Sequence, residues 1–181
     1  MTNKMNKKKS AFLEYAIYLF IIIFVLFLAP KYIVEKVLVD GTSMENSLHD
    51  GEHVLIEKVS RYFNGPDRFD IVVFTKNHGT YTKTYIKRII GLPGETVQII
   101  GSQIYIDGEV LMEKFGKDPI SNAGIASESI LLGENEYFVL GDNRRVSVDS
   151  RDKIVGVVTK DELNGVVLFR TAPLSAFGKV K

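Results

Sequence analysis

Thr96-Val97-Gln98-Ile99-Ile100-Gly101-Ser102-Gln103-Ile104-Tyr105-Ile106-Asp107-Gly108-Glu109-Val110-Leu111-Met112 decides the fold class. β-Branched and aromatic residues fill three short runs, and two dipeptides divide them. Gly101-Ser102 suits a two-residue hairpin with glycine at its first central position. Asp107-Gly108 suits the other tight hairpin, which needs positive φ at both central residues. The stretch therefore predicts a three-stranded meander, with strands at 96–100, 103–106 and 109–112.

The same pattern continues outward. Short apolar runs bounded by turn residues predict strands at 33–39, 53–59, 69–74, 81–90, 136–140, 154–158 and 166–170. The expected fold is mainly β. Residues 113–135 differ: they are polar, weakly periodic, and punctuated by Gly116, Pro119, Gly124 and Gly133. They read as a loop-rich excursion within a small β/loop cap. The expected division is a catalytic β domain at 30–101 and 136–181, with the cap inserted at 102–135.

The N-terminus is of another kind. Lys4, Lys7, Lys8 and Lys9 precede an apolar run, 11–29, in which Glu14 is the one charge. A helix of that length spans roughly 28 Å, close to the ~30 Å hydrocarbon core of a bilayer. The lysine excess before it predicts a cytoplasmic segment at 1–10, one transmembrane helix at 11–29, and the remaining domain outside the cell. A cleaved signal peptide is the competing reading. The run exceeds the usual ~7–15 residues, and no small-x-small triplet closes it.

Composition removes other classes. The chain of 181 residues has a net charge of +1 and no cysteine. There is no basic stripe with interleaved aromatics for nucleic acid. Disulfides, cysteine-held zinc and thiol nucleophiles are excluded. His49, His53 and His78 lack the glutamate of a zinc-protease helix, and Gly51 with Val54-Leu55-Ile56 opposes a helix there. No metal or cofactor is expected.

Three segments carry candidate chemistry. Ser43 lies in Asp40-Gly41-Thr42-Ser43-Met44, directly after a predicted strand. A serine beyond such a turn can present both a hydroxyl and a backbone N–H to a carbonyl, although most such serines only bond their own loop. Lys87 alternates with Lys83, Tyr85 and Ile89 on one face of the 81–90 strand. Burial there would disfavour its charge, and a drop of ~2–3 pH units costs about 3–4 kcal/mol. The plainer reading is a lysine at a sheet edge with its ammonium in water. Finally, Gly141-Asp142-Asn143-Arg144-Arg145-Val146-Ser147-Val148-Asp149-Ser150-Arg151 packs hydroxyls, carboxylates and guanidiniums into one turn-rich loop. It could be a salt-bridged surface loop, or it could orient Lys87.

Taken in order, these segments resemble the type I signal peptidases, the bacterial leader peptidases with a Ser–Lys dyad. The family's Ser-Met-x-Pro-Thr-Leu box lines up with 43–48, its Asp-Ile-Val-Val-Phe strand with 70–74, and its lysine box with 85–95. Its Gly-Asp-Asn-Arg-x-x-Ser-x-Asp-Ser-Arg box lines up with 141–151 at every fixed position. The likeness covers nearly the whole chain except 113–135. Two departures stand out: Asn46 replaces the usual proline, which would have restricted φ, and Ser47 replaces threonine. Gly41 also stands where some relatives carry a hydroxyl for the oxyanion.

The resemblance implies a signal-peptidase-like β fold with a small cap, and removal of signal peptides from exported preproteins after a small-x-small site. It implies Ser43 as nucleophile and Lys87 as general base, with Ser147 orienting Lys87. Asp149 and Arg151, with Arg88, would form a supporting pair. Gly41, Thr42, Met44, Tyr85 and Ile86 would line the substrate groove, and Asp142 and Asn143 would build the turn. The expected partners are preprotein signal peptides and membrane lipid. The rival readings are a non-catalytic, membrane-tethered assembly protein on the same fold, such as a pilus-associated one, and a self-cleaving Ser–Lys protease.

Overall fold

Alternating burial along the strands builds two antiparallel sheets in the computed structural model, which describes residues 2–28 and 32–180. The chain divides into two compact units, Met1–Glu35 and Lys36–Lys181.

In the first unit, helix α1 (Thr2–Ile23) passes into a π-helical stretch, Phe24–Leu28. Apolar side chains from Leu13 to Phe27 are exposed. Among the described residues no helix is long and apolar enough to cross a membrane. The reason lies in the boundaries. α1 starts early enough to take in the lysines expected at 1–10, and it stops at Ile23. The apolar run at 11–29 is thus shared between two helical types, and Ala29 falls outside the described residues.

The larger sheet contains β1 (Val34–Leu38), β2 (His53–Glu57), β3 (Ile71–Asn77), β4 (Thr82–Gly91), β9 (Glu136–Leu140), β10 (Val158–Thr159), β11 (Leu163–Ala172) and β12 (Gly178–Lys179). Its order is β1-β2-β11-β3-β4-β9-β10, with β12 on β11. β3 is central and buried on both faces, as its Ile-Val-Val-Phe run requires. Val72 and Phe74 pack with Tyr85, Ile89 and Val139 in one core. Val73 and Ile71 point the other way and pack with Met44, Leu48, Val54 and Ile56. Each fully buried Ile or Phe of this kind contributes about 1.5–3 kcal/mol.

The smaller sheet has the order β7-β6-β5-β8, from β5 (Thr96–Ile100), β6 (Gln103–Ile106), β7 (Glu109–Val110) and β8 (Ile130–Leu131). Both predicted hairpins are present. Ile100 pairs with Gln103 across Gly101-Ser102, and Ile106 with Glu109 across Asp107-Gly108. Gly101 has φ +61°, while Asp107 and Gly108 have +51° and +83°, the left-handed values these turns demand. Because β5 belongs to this sheet, the smaller sheet begins at Thr96. The boundary expected at 101/102 would cut the β5–β6 hairpin.

Two further strand expectations are corrected. Residues 154–157 turn instead of extending, since the N–H groups of Val155 and Gly156 both donate to the Asp152 carbonyl. β3 starts at Ile71 and not at 69, because Phe69 adopts φ +73° with its N–H donating to the Ile89 carbonyl.

Candidate active site

The lysine is placed by strand alternation. Lys87 pairs with Val72 near the middle of β4, between Tyr85 and Ile89 on the same face. Its side chain is only 3% exposed. Burial lowers its pKa from 10.5 to about 8; Lys83 pushes the same way, while Asp149 and Asp142 oppose. Its Nζ stands 2.7 Å from Ser43 Oγ and 2.9 Å from the Ile86 carbonyl, to which it donates. A neutral amine at that distance accepts the hydroxyl proton; the ammonium donates in return.

The serine is placed by a loop anchored from below and behind. Met44 and Leu48 are buried in the core on either side of a tight turn. In that turn the Ser47 N–H donates to the Met44 carbonyl at 2.9 Å, and Asn46 holds φ +76°. These are the features of a type II turn, in which the third residue must be left-handed and is Gly or Asn. Proline, fixed near −65°, cannot stand in this conformation. Asn46 is therefore not a loosened proline; it selects a different turn.

From behind, the Gly141–Asn143 stretch holds the nucleophile. The Asn143 N–H donates to the Ser43 carbonyl at 3.0 Å, and its side-chain amide donates to the Thr42 carbonyl at 3.2 Å. Gly141 lies so close that a Cβ on it would sit 2.6 Å from the Ser43 carbonyl oxygen and 2.1 Å from Ser147 Oγ. Asp142 and Asn143 lie in a bend behind the nucleophile.

The ionic groups sort themselves differently from the expectation. Arg88 points away from Lys87, as strand alternation dictates, and makes a buried two-pronged pair with Asp142: Nε to Oδ1 at 2.9 Å and Nη2 to Oδ2 at 2.7 Å. Ser47 Oγ joins the same cluster, donating to Asp142 Oδ2 at 2.6 Å and accepting from Arg88 Nη2 at 2.9 Å. Asp149 pairs with Arg151 instead, both prongs at 2.8 Å, and accepts from the Gly141 N–H at 3.0 Å. There are two separate buried pairs, and Arg88 does not belong to the second.

Ser147 departs from its expected role as well. Its Oγ is buried without a hydrogen-bond partner, so it does not bond Lys87 here. Of the expected substrate contacts, Thr42 is exposed, and Gly41 and Ile86 are half-buried. Met44 and Tyr85 are core residues. The Tyr85 ring stacks on Phe74 at 5.4 Å, lies 5.8 Å from Lys87 Nζ, and its hydroxyl is 3.2 Å from His78 Nε2. It is part of the apolar wall that desolvates Lys87. The Gly41 N–H donates to Asp50 Oδ1 at 2.7 Å and is not free for an oxyanion.

A group of contacts from 113–117 went unseen in the sequence. The Phe115 ring lies 3.8 Å from the Arg88 guanidinium. Glu113 pairs with Arg144 at 2.9 Å, and Lys117 pairs with Glu45 at 3.0 Å. The one available sign was a lone aromatic in an otherwise polar stretch. Among the described residues no cluster of His, Cys, Asp or Glu could hold a metal ion.

A buried amine beside a serine hydroxyl is the equipment of a serine hydrolase that uses no histidine. Comparison with known proteins gives the narrower class. The family model for "Signal peptidase, peptidase S26" matches residues 12–172, and the chain belongs to that family. It is similar to signal peptidase I P of Bacillus subtilis subsp. natto, at 33% identity over 98% of this chain and 98% of that protein. It is also similar to signal peptidase IB of Staphylococcus aureus strain COL, at 32% identity over 93% of this chain and 94% of that protein. A solved signal peptidase I from Enterococcus faecalis is 35% identical, with a TM-score of 0.46, over 56% of this chain and 95% of that one. The chain is a serine endopeptidase.

Proposed function

We propose that this protein removes signal peptides from exported preproteins, with Ser43 as the nucleophile and Lys87 as the general base. The observation that carries the reading is the 2.7 Å approach of a lysine amine, buried and brought to a pKa of about 8, to a serine hydroxyl. Lys87 takes the Ser43 proton as Oγ attacks the scissile carbonyl. The resulting ammonium returns that proton to the departing amine, leaving an acyl-serine. Water then attacks the ester with Lys87 again as base. With the Gly41 N–H occupied, the developing oxyanion is left to backbone N–H donors at Thr42 or Ser43.

Ser147 is the residue proposed to orient Lys87, because its buried hydroxyl is otherwise without a partner. Asp149 and Arg151 hold the loop that carries it. An extended substrate lies along Ile86 and the Gly41-Thr42 segment. Specificity for a small-x-small site follows from family resemblance. The rest of the reading places the enzyme at the cell membrane, its N-terminus cytoplasmic and its β domain outside. Support comes from the single-charge run at 11–29, the lysines before it and the exposed apolar side chains of α1.

The test is cleavage of a preprotein by the purified chain alongside Ser43→Ala and Lys87→Ala. Both variants fold and both lose cleavage by at least about 10³-fold. A variant that still cleaves removes that residue from the chemistry.

A further inference from the structure

The segment Glu113–Lys117 is tied to all three parts of the site. Its Glu113 carboxylate accepts from the N–H groups of Phe115 and Gly116, closing a tight turn, and also holds buried Arg144. Phe115 covers Arg88. The Lys117 N–H donates to the Asp142 carbonyl at 2.8 Å, and its ammonium reaches Glu45, two residues beyond Ser43. Glu45 is the second residue of the type II turn whose third is Asn46. The turn begins at Met44, directly after Ser43, so what holds the turn also holds the nucleophile.

We infer that the Lys117–Glu45 pair is a clamp that fixes the nucleophile turn from outside, through a contact 72 positions apart in sequence. Lys117 and Glu45 are positioning residues, acting through the turn and touching no reacting atom. The clamp also links the smaller sheet to the nucleophile, because β7 runs directly into this segment. The inference rests on the Ser43–Lys87 reading. Lys117 lies outside the four sequence boxes that carry the family resemblance.

The pair is 40% and 29% exposed, so its loss should leave folding nearly untouched and weaken with salt. In full-length protein acting on a preprotein at low salt, Lys117→Ala and Glu45→Ala should each lower kcat about three- to five-fold. KM and the thermal midpoint should stay as in the parent. The double variant should fall no further than either single, and the reversed pair, Glu45→Lys with Lys117→Glu, should recover to within about twofold. At ~1 M salt the parent should decline to the level of the singles. Singles with parental kcat, losses that multiply in the double, or a reversed pair no better than the singles would each overturn the clamp. So would a raised KM in Glu45→Ala, which would make Glu45 a substrate contact. If Ser43→Ala still cleaves, the dyad reading fails first and takes the clamp with it.

Discussion

Arg88 and Asp142 meet in a fully enclosed two-pronged ion pair, 1% and 0% exposed, directly behind the strand position that carries Lys87. Adjacent residues of β4 therefore serve opposite ends. Lys87 faces a wall that strips its charge, and Arg88 faces a carboxylate that keeps its own.

Breaking that pair should be costly. Asp142→Ala removes both carboxylate oxygens from a buried guanidinium, and should reduce stability by about 3–5 kcal/mol. Urea unfolding measures it. A loss under about 1 kcal/mol would mean that water reaches the site.

Burial of Lys87 should trade stability for activity. Between pH 8 and 10.5 the unfolded chain binds a proton that the folded chain has released, so this group's contribution to stability rises with pH across that window. Below about pH 8 it is a penalty of about 3 kcal/mol. Lys87→Met should therefore abolish cleavage and raise the thermal midpoint at pH 7. An unchanged or lowered midpoint contradicts the depressed pKa.

The same value sets the rate profile. With a pKa of about 8 the neutral amine grows roughly tenfold between pH 7 and 9. The rate kcat/KM should rise by about that factor on its basic limb. A flat profile across this range would exclude a lysine base.

Gly141 admits no side chain. Gly141→Ala must displace Ser147 Oγ, the Ser43 carbonyl, or both. Cleavage should drop at least about tenfold, with the larger loss in kcat, because a small misplacement of a nucleophile is expensive. Full activity would show that the loop can retreat without moving Ser43.

Asn46 gives the sharpest contrast with expectation. Restoring the family's proline should destabilise the protein, since φ +76° is closed to it, whereas Asn46→Gly should be nearly neutral. Thermal melts of the two variants decide the matter. A stabilised Asn46→Pro would mean that the turn flips readily to another form.

The chemistry-bearing parts were legible because they are local. Hairpin dipeptides set the meander, and alternation along β4 put Lys87 and Arg88 on opposite faces. Which carboxylate meets which guanidinium was not legible. Arg88 had Asp142 and Asp149 as candidates from one loop, and only the path of that loop decides between them. Phe115 and Lys117 were hidden for the same reason: their partners lie 27 and 72 positions away, and no periodicity marks a strap. The turn at Asn46 was not drawn from the comparison with proline, although asparagine is itself a signal for left-handed backbone.

Lys87 is only 3% exposed to the medium. Small acids and bases dissolved in the medium are thereby kept from the amine while chemistry proceeds. The proton taken from the hydroxyl is then the one handed onward, and the turnover number at constant pH should not respond to buffer concentration. The enclosure that weakens the amine's charge also makes its proton private.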